Sequence, residues 1–429
     1  MRSMREKEEK TMMKKRIAQG IALVSATAML VGCGSGGKSS SETSESKDGK
    51  VTIKFSAWDE IPDSVFEAFN KEHPDIKVDY IRIPGDDYSQ KINQMIAGNT
   101  APDVMLAYET DLPKFAKAGA ILDLDDKLSK SSEIDSDDFI PAVKELNETT
   151  DGTYGLPWCY ASELLFYNKD MFDAAGVSYP TAEWTWDDYE NAAKQLTVKD
   201  GSKTTQWGTD ALSFGGIWYS LAGQAGDAVV KDGKLALDDG MKKALEFQNK
   251  LTNEDKVCPQ PESGSSVSDL FASGQAAMCL NGSWMTSVYK DVDFKWDITT
   301  LPKGERAYNS LHTGFYTINA KSKKADAAWT FIEFMMGKEG QTITSKWLNN
   351  PSALKSIAAE GAYRNGGDNG PENWEAFDAA GEEGKVGYTT INTAVTNNLI
   401  NQFNSYLLGN ISLDDVMDEE IPKANKELE

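Results

Sequence analysis

The chain has 429 residues and a formal net charge of −23, from 67 Asp+Glu against 44 Lys+Arg. That balance is opposite in sign to the one that draws a protein onto a phosphate backbone, so nucleic acid is excluded as a partner. Only two histidines, His73 and His312, are available to any His-centred metal site or Ser-His-Asp triad, and the G-x-S-x-G, H-E-x-x-H, Walker A and C-x-x-C patterns are all absent.

The first residues are charged, "MRSMREKEEKTMMKKR", and an apolar run follows from Ile17 to Leu30. That run is shorter than the roughly 20 apolar residues of a membrane span. A basic stretch, an apolar stretch and a small residue before a cut site predict a secretory signal over residues 1–32, with Met12 or Met13 as an alternative start. Leu30-Val31-Gly32-Cys33 resembles the bacterial lipobox, in which the signal is removed before the cysteine and that cysteine, here Cys33, is acylated. The other reading is an ordinary secreted protein. Residues 33–49 are Gly, Ser and charge, which cannot bury enough apolar surface to offset chain entropy, so a flexible tether is expected. The expected location is the extracytoplasmic face of the cell membrane, with the lipid as the only membrane contact. Without residues 1–32 the balance is 37 Lys+Arg against 64 Asp+Glu, a net charge of −27. Such acidity suits a soluble body held near an anionic surface without adhering to it.

From residue 50 on, roughly 380 residues remain, enough for two well-buried domains. "KVTIKFSAW" alternates, with Val51, Ile53, Phe55 and Ala57 on one face, and predicts a strand. "DSVFEAFNKEH" sets Val65, Phe66, Ala68 and Phe69 at helical spacing and is stopped by Pro74. "IKVDYIRI" is a second strand, "YSQKINQMIAG" a second helix and "DVMLAY" a third strand. This β-α-β-α-β order predicts a largely parallel α/β sheet, and such sheets bind ligands beyond the carboxyl ends of their strands. Those ends carry Trp58-Asp59, Pro84-Gly85-Asp86 and Tyr108-Glu109. The same grammar returns in "ELLFYNKDMFDAAGV", the helix "TWDDYENAAKQL", the strand "GFYTINA" and the helix "KADAAWTFIEFMMGKEG". "TINTAVTNNLINQFNSYLLG" predicts a last long helix. Cys159, Cys258 and Cys279 are expected as buried small hydrophobes, with a Cys258–Cys279 disulfide as the alternative. The acidic run at Asp123, Asp125 and Asp126 lacks the glycine and terminal Glu of a calcium loop and is expected to be a solvated edge. No metal or cofactor is expected.

Taken together, "FEAFNKEHPDIKVDYI", "YSQKINQMIAGNTAPDVMLAY", "LPKFAKAGAILDLDD", "YGLPWCYASELLFYNKDMFDAAGV", "TWDDYENAAKQLT", "FASGQAAMCLNGSW", "LPKG" and "TGFYTINAKSKKADAAWTFIEFMM" follow one another along nearly all of the chain. This series resembles the family-1 extracellular solute-binding proteins, the maltose-binding-protein-like class that serves ABC sugar importers. The resemblance implies a two-lobed α/β fold of the periplasmic-binding-protein type II kind, with hinge crossovers and a ligand cleft between lobes. It implies crossovers near Trp158–Ala161 and Leu311–Gly314. Lobe 1 would comprise residues 50–160 and 313–345, and lobe 2 residues 161–312 and 346–429.

A sugar presents hydroxyl rims and apolar C–H faces, so its site needs flat rings and planar hydrogen-bonding groups. On that basis Trp284 of "LNGSW" is expected to stack on the ligand, by resemblance to the family's position for such a ring. Trp58, Asp59, Tyr108 and Glu109 are candidates at the strand ends. Trp158 and Tyr160 flank the first crossover, His312 and Phe315 the second, where Gly314 permits close backbone approach; His312 is expected as a neutral hydrogen-bond partner, with a satisfied hinge histidine as the alternative. Asp86, Asp210 and Trp218 complete the candidate set, while Trp207, Trp329, Trp347 and Trp374 are expected to pack, with the edge of the cleft as the alternative for Trp347 near "LNNP". The expected function is capture of a sugar or oligosaccharide by a monomer through hinge closure, without chemistry, and delivery to membrane permease subunits driven by a separate cytoplasmic ATPase. The alternatives are a receptor for a polyamine or glycerophosphodiester, and a lipid-anchored glycoside hydrolase working with two carboxylates.

Overall fold

The computed structural model describes residues 50–428 apart from 148–150, 213, 262–268, 366 and 386. The predicted signal at 1–32, the acylated Cys33 and the tether at 33–49 lie outside the described residues, as does the side chain of Asp86.

Strand β1 (Val51–Ala57) buries the predicted face through Ile53, Phe55 and Ala57. Helix α1 (Asp63–Glu72) buries Val65 and Phe69, the apolar positions four apart. Strand β2 (Ile76–Arg82), helix α2 (Gly85–Ala97) and strand β3 (Val104–Tyr108) follow, and β1 lies between β2 and β3, parallel to both. The chain then reaches β4 (Leu156–Pro157) and, past a first crossover, β5 (Glu163–Asn168). Helices α3 (Trp186–Leu196) and α4 (Ile217–Gln224) lead toward β6 (Met278–Gly282) and β7 (Trp296–Thr300). A second crossover returns the chain to β8 (Gly314–Ile318), which is followed by α5 (Ala325–Met336), α6 (Lys338–Leu348) and, further on, α7 (Thr393–Leu407).

The first sheet has the order β2-β1-β3-β8-β4. Its β1, β2 and β3 are parallel as predicted, but β8 runs antiparallel to β3 and β4 because it enters the sheet from the crossover side. The second sheet, β6-β5-β7, departs from the expected repeat of the same grammar: both neighbours of β5 run antiparallel to it. All six residues of β5 are buried, so both of its faces are covered.

One hydrophobic core is drawn from residues between Ile53 and Tyr160 and from Leu311 to Ile357, and includes Ala353, Leu354 and Ile357 with Trp347 and Leu348 packed on it. Two more gather residues between Leu164 and Ala424. The crossovers lie side by side. Ala161 and His312 exchange backbone hydrogen bonds of 2.8 and 2.9 Å, and the Trp158 N–H donates to the Gly314 carbonyl at 3.1 Å. A third segment joins them where the Tyr160 N–H donates to the Pro351 carbonyl at 3.1 Å. Cys159, Cys258 and Cys279 are buried free thiols, so the alternative Cys258–Cys279 disulfide is not formed. Among the described residues no helix is long and apolar enough to cross a membrane.

Candidate functional site

Strands β1 and β3 are parallel neighbours, so the residues that follow them emerge on the same edge of the first sheet. There the Trp58 indole stacks on the Tyr108 ring, centroids 4.1 Å apart and 12° between planes. The edge of Trp58 meets Trp158 at 5.6 Å and Tyr88 at 5.2 Å, both near perpendicular. Tyr88 anchors the group from below, its hydroxyl donating to the Leu106 carbonyl at 2.8 Å. Gly314 makes room for these rings: a Cβ there would sit 2.5 Å from the Trp58 indole and 3.1 Å from Trp158 Nε1. Beside them, burial pushes the Asp59 carboxyl up to about 6 against the pull of Arg82 and a hydrogen bond from Trp58. The Tyr80 hydroxyl donates to the Asp59 carbonyl and fixes that backbone.

Another ring group comes from the loop ahead of α4, the turn after β6 and a turn ahead of α7. Trp284 lies in the short turn after β6, and its ring meets Phe214 at 4.9 Å and His312 at 5.5 Å, edge to face in both cases. Phe214 also meets the His312 ring at 5.2 Å, and Tyr388 lies 5.9 Å from it. Trp58, Tyr108 and Trp284 all retain part of their surface exposed.

His312 joins the two groups. Its Nδ1 is 3.4 Å from Glu109 Oε1, just beyond β3, and its Nε2 is 3.2 Å from Glu163 Oε1, at the start of β5. The ring is 8% exposed. Burial opposes a charge there, yet the hydrogen bonds and charges of Glu109 and Glu163 outweigh it and raise the His312 pKa to about 9. Glu163 is held at its backbone: its N–H donates to Asn309 Oδ1 at 2.8 Å, and Asn309 Nδ2 donates to its carbonyl at 2.7 Å. The arrangement offers ring faces for apolar C–H surfaces and carboxylates for hydroxyls, the two surfaces of a sugar.

Other candidates from the sequence stand apart from this group. Trp218 is wholly buried in α4 and packs on Phe403 at 5.5 Å; every residue of that helix is buried, so the ring serves packing. Asp210 accepts the backbone N–H of Ala211 and Leu270 at 2.8 Å and of Phe271 at 3.2 Å, a structural tie between two segments. Phe315 is wholly buried in β8. Trp158 is 3% exposed and forms the floor beneath Trp58, with Trp347 6.2 Å away. Tyr160 turns toward Gly381, where a Cβ would come within 3.0 Å of its ring.

Glu163, Phe214 and Tyr388 belong to the group and were not singled out by sequence reasoning. Glu163 had a signal: it is the single charged residue heading the apolar run "SELLFYN". Phe214 precedes two glycines, Gly215 and Gly216, the second of which lies against the rings of Phe214 and Tyr388. Nothing local marks Tyr388.

The family described as bacterial extracellular solute-binding protein matches residues 56–342. The chain is similar to the arabinooligosaccharide-binding protein of Bacillus subtilis (strain 168), 26% identical over 335 residues, covering 73% of this chain and 74% of that one. It is also similar to the maltodextrin-binding protein MdxE of Bacillus subtilis (strain 168), 26% identical over 343 residues, covering 74% and 76% respectively. Among solved structures it resembles the ABC substrate-binding protein Lmo0181 from Listeria monocytogenes in complex with cycloalternan, with a TM-score of 0.79 and 26% identity over 88% of this chain and 98% of that one. The GacH receptor of Streptomyces glaucescens GLA.O has the same fold, with a TM-score of 0.76 at 22% identity over 88% and 98%. The two-lobed α/β architecture expected from the sequence is the one the chain adopts.

Proposed function

The chain belongs to the bacterial extracellular solute-binding proteins, and we propose from that premise that it is a carbohydrate receptor for an ABC importer. One observation carries the reading: at the crossovers, the part-exposed rings of Trp58 and Tyr108 beyond the first sheet and of Trp284 and Phe214 against His312 occur together with the carboxylates of Asp59, beside Trp58, and Glu109, beside His312, which suit sugar hydroxyls. The oligosaccharides named for its relatives support the same ligand class. The contacts we assign are Trp58, Asp59, Tyr108, Glu109 and Trp284, with Trp158 as floor and His312 behind them. Lobe 1 comprises residues 50–160 and the return segment from 313, carried past 345 to Ile357 by the packing of Leu354 and Ile357. Lobe 2 comprises 161–312 and the C-terminal helices. Ligand bound on one lobe is enclosed when the hinge brings the rings of the other onto it. The monomer then docks on the permease, while the lipid on Cys33 holds it at the extracytoplasmic surface.

A thermal-shift screen of the protein against mono- and oligosaccharides, polyamines and glycerophosphodiesters tests this. A ligand at 100 times its dissociation constant adds about 2.7 kcal/mol, a shift of several degrees. The expected result is a shift with a carbohydrate that is recovered unchanged. A response confined to polyamines overturns the ligand class, and a cleaved sugar overturns the receptor in favour of a hydrolase. Labelling with a radioactive fatty acid, lost in C33A, tests the anchor.

A further inference from the structure

We infer that His312 is a charged clasp across the hinge, a positioning residue that ties Glu109 of one sheet to Glu163 of the other and makes closure depend on one proton. The inference deepens the receptor reading and rests on it for the meaning of closure, though its first readout needs no ligand.

The geometry argues it. Both ring nitrogens face a carboxylate oxygen, at 3.4 and 3.2 Å. A neutral imidazole has a single N–H and would turn a lone pair toward one of the two carboxylates; only the imidazolium donates to both. The three groups also come from three different parts of the fold. Glu109 follows β3, Glu163 opens β5, and His312 sits on the crossover between them, where its own backbone is locked to Ala161. A rotation of one sheet against the other about the crossovers changes the Glu109–Glu163 separation, so the imidazolium binds one hinge angle better than others. Among the described ion pairs, neither Glu109 nor Glu163 is paired with a lysine or arginine; His312 is their cationic partner. The Glu163 Oε2 is buried without a hydrogen-bond partner in the protein, which leaves the His312 contact as the compensation for that charge.

The other groups around the ring do not compete for the proton. Phe214 and Trp284 have no titratable group, and burial pushes the Tyr388 hydroxyl, and the thiol of Cys159, which feels Glu109, well above their ordinary values. Tyr308, which feels Glu163, is pushed up in the same way. The sign follows: a histidine raised from 6.5 to about 9 gives its full contribution below 6.5 and loses it as pH rises through about 9. The clasp is therefore shut at neutral pH and released on the alkaline side, where two carboxylates face each other across a neutral ring.

The chain has two histidines, His73 and His312, so imidazole 15N spectra of the full chain contain two imidazole side chains, assigned by H312Q. We expect the His312 midpoint near pH 9, lowered by about one pH unit or more in E163Q. The radius of gyration from small-angle scattering is expected to step up across the same transition in the native chain and to show no such step in H312Q. A His312 midpoint near 6.5 overturns the inference, and so does proton loss that leaves the radius of gyration unchanged. Both outcomes are read on the native chain, and H73Q, which leaves His312 as the remaining imidazole, gives the assignment where H312Q does not fold. If the titration and the step hold while no carbohydrate binds, it is the receptor reading that fails.

Discussion

Asp210 and Trp284 look alike as sequence candidates, a polar and an aromatic residue in a chain rich in both, but the structure surrounds them differently. The Asp210 carboxylate collects three backbone N–H groups from two segments, at 2.8, 2.8 and 3.2 Å. D210A leaves buried donors unpaired and is expected to cost about 2–3 kcal/mol, seen as a lower denaturant midpoint with an unchanged slope. Ligand affinity in that variant is expected to match the native value; a selective loss of affinity would return Asp210 to the binding surface. Trp284, in contrast, is part-exposed and held edge-on by Phe214 and His312. W284A is expected to weaken ligand binding about tenfold to hundredfold by calorimetry, as central aromatic anchors do, with little change in melting temperature. An unchanged dissociation constant would remove Trp284 from the site.

The helix α3 illustrates what local sequence determines. Thr185 accepts from the Asp188 N–H at 3.2 Å, while Asp188 Oδ2 accepts the Thr185 N–H at 2.9 Å, a reciprocal cap written in "TWDD". T185A is expected to cost about 1 kcal/mol in a denaturant melt and to leave ligand affinity unchanged, because the cap's hydrogen bonds join Thr185 to Asp188 and include none of the crossover residues. Signals of this kind made β1, α1, β2, α2 and β3 legible: alternation or helical spacing is visible within ten residues. They also placed Trp58 and Tyr108 together, since parallel strands put their carboxyl ends on one edge. The second sheet was not legible in that way. β5 is buried on both faces and shows no alternation, and its partners β6 and β7 lie more than a hundred residues further along. Glu163 shared that fate, because its role depends on a histidine 149 positions away. Trp218, a candidate by residue type, is wholly buried against Phe403, a distinction ring count cannot make.

Hinge closure requires that the two sheets move against each other, and one contact across them lies well placed to stop that motion. Thr110, two residues beyond β3, and Thr393, at the start of α7, have hydroxyl oxygens 2.6 Å apart. Side chains that meet so closely have Cβ atoms near the separation a disulfide needs, about 3.8 Å. The three described native thiols are buried and do not compete for the oxidant. The double substitution T110C and T393C, oxidised before ligand is added, is expected to block uptake. Oxidised after loading, the same variant should retain its ligand through exhaustive dialysis, and a reductant should restore exchange in both preparations. The contrast between the two orders of addition is what identifies a gate: a variant that merely damages the site fails in both, and a cross-link that spans no moving parts fails in neither. Free exchange in the fully cross-linked protein would mean that ligand enters and leaves without separating these two elements, and a trapping mechanism built on the crossovers at Trp158–Ala161 and Leu311–Gly314 would have to be abandoned.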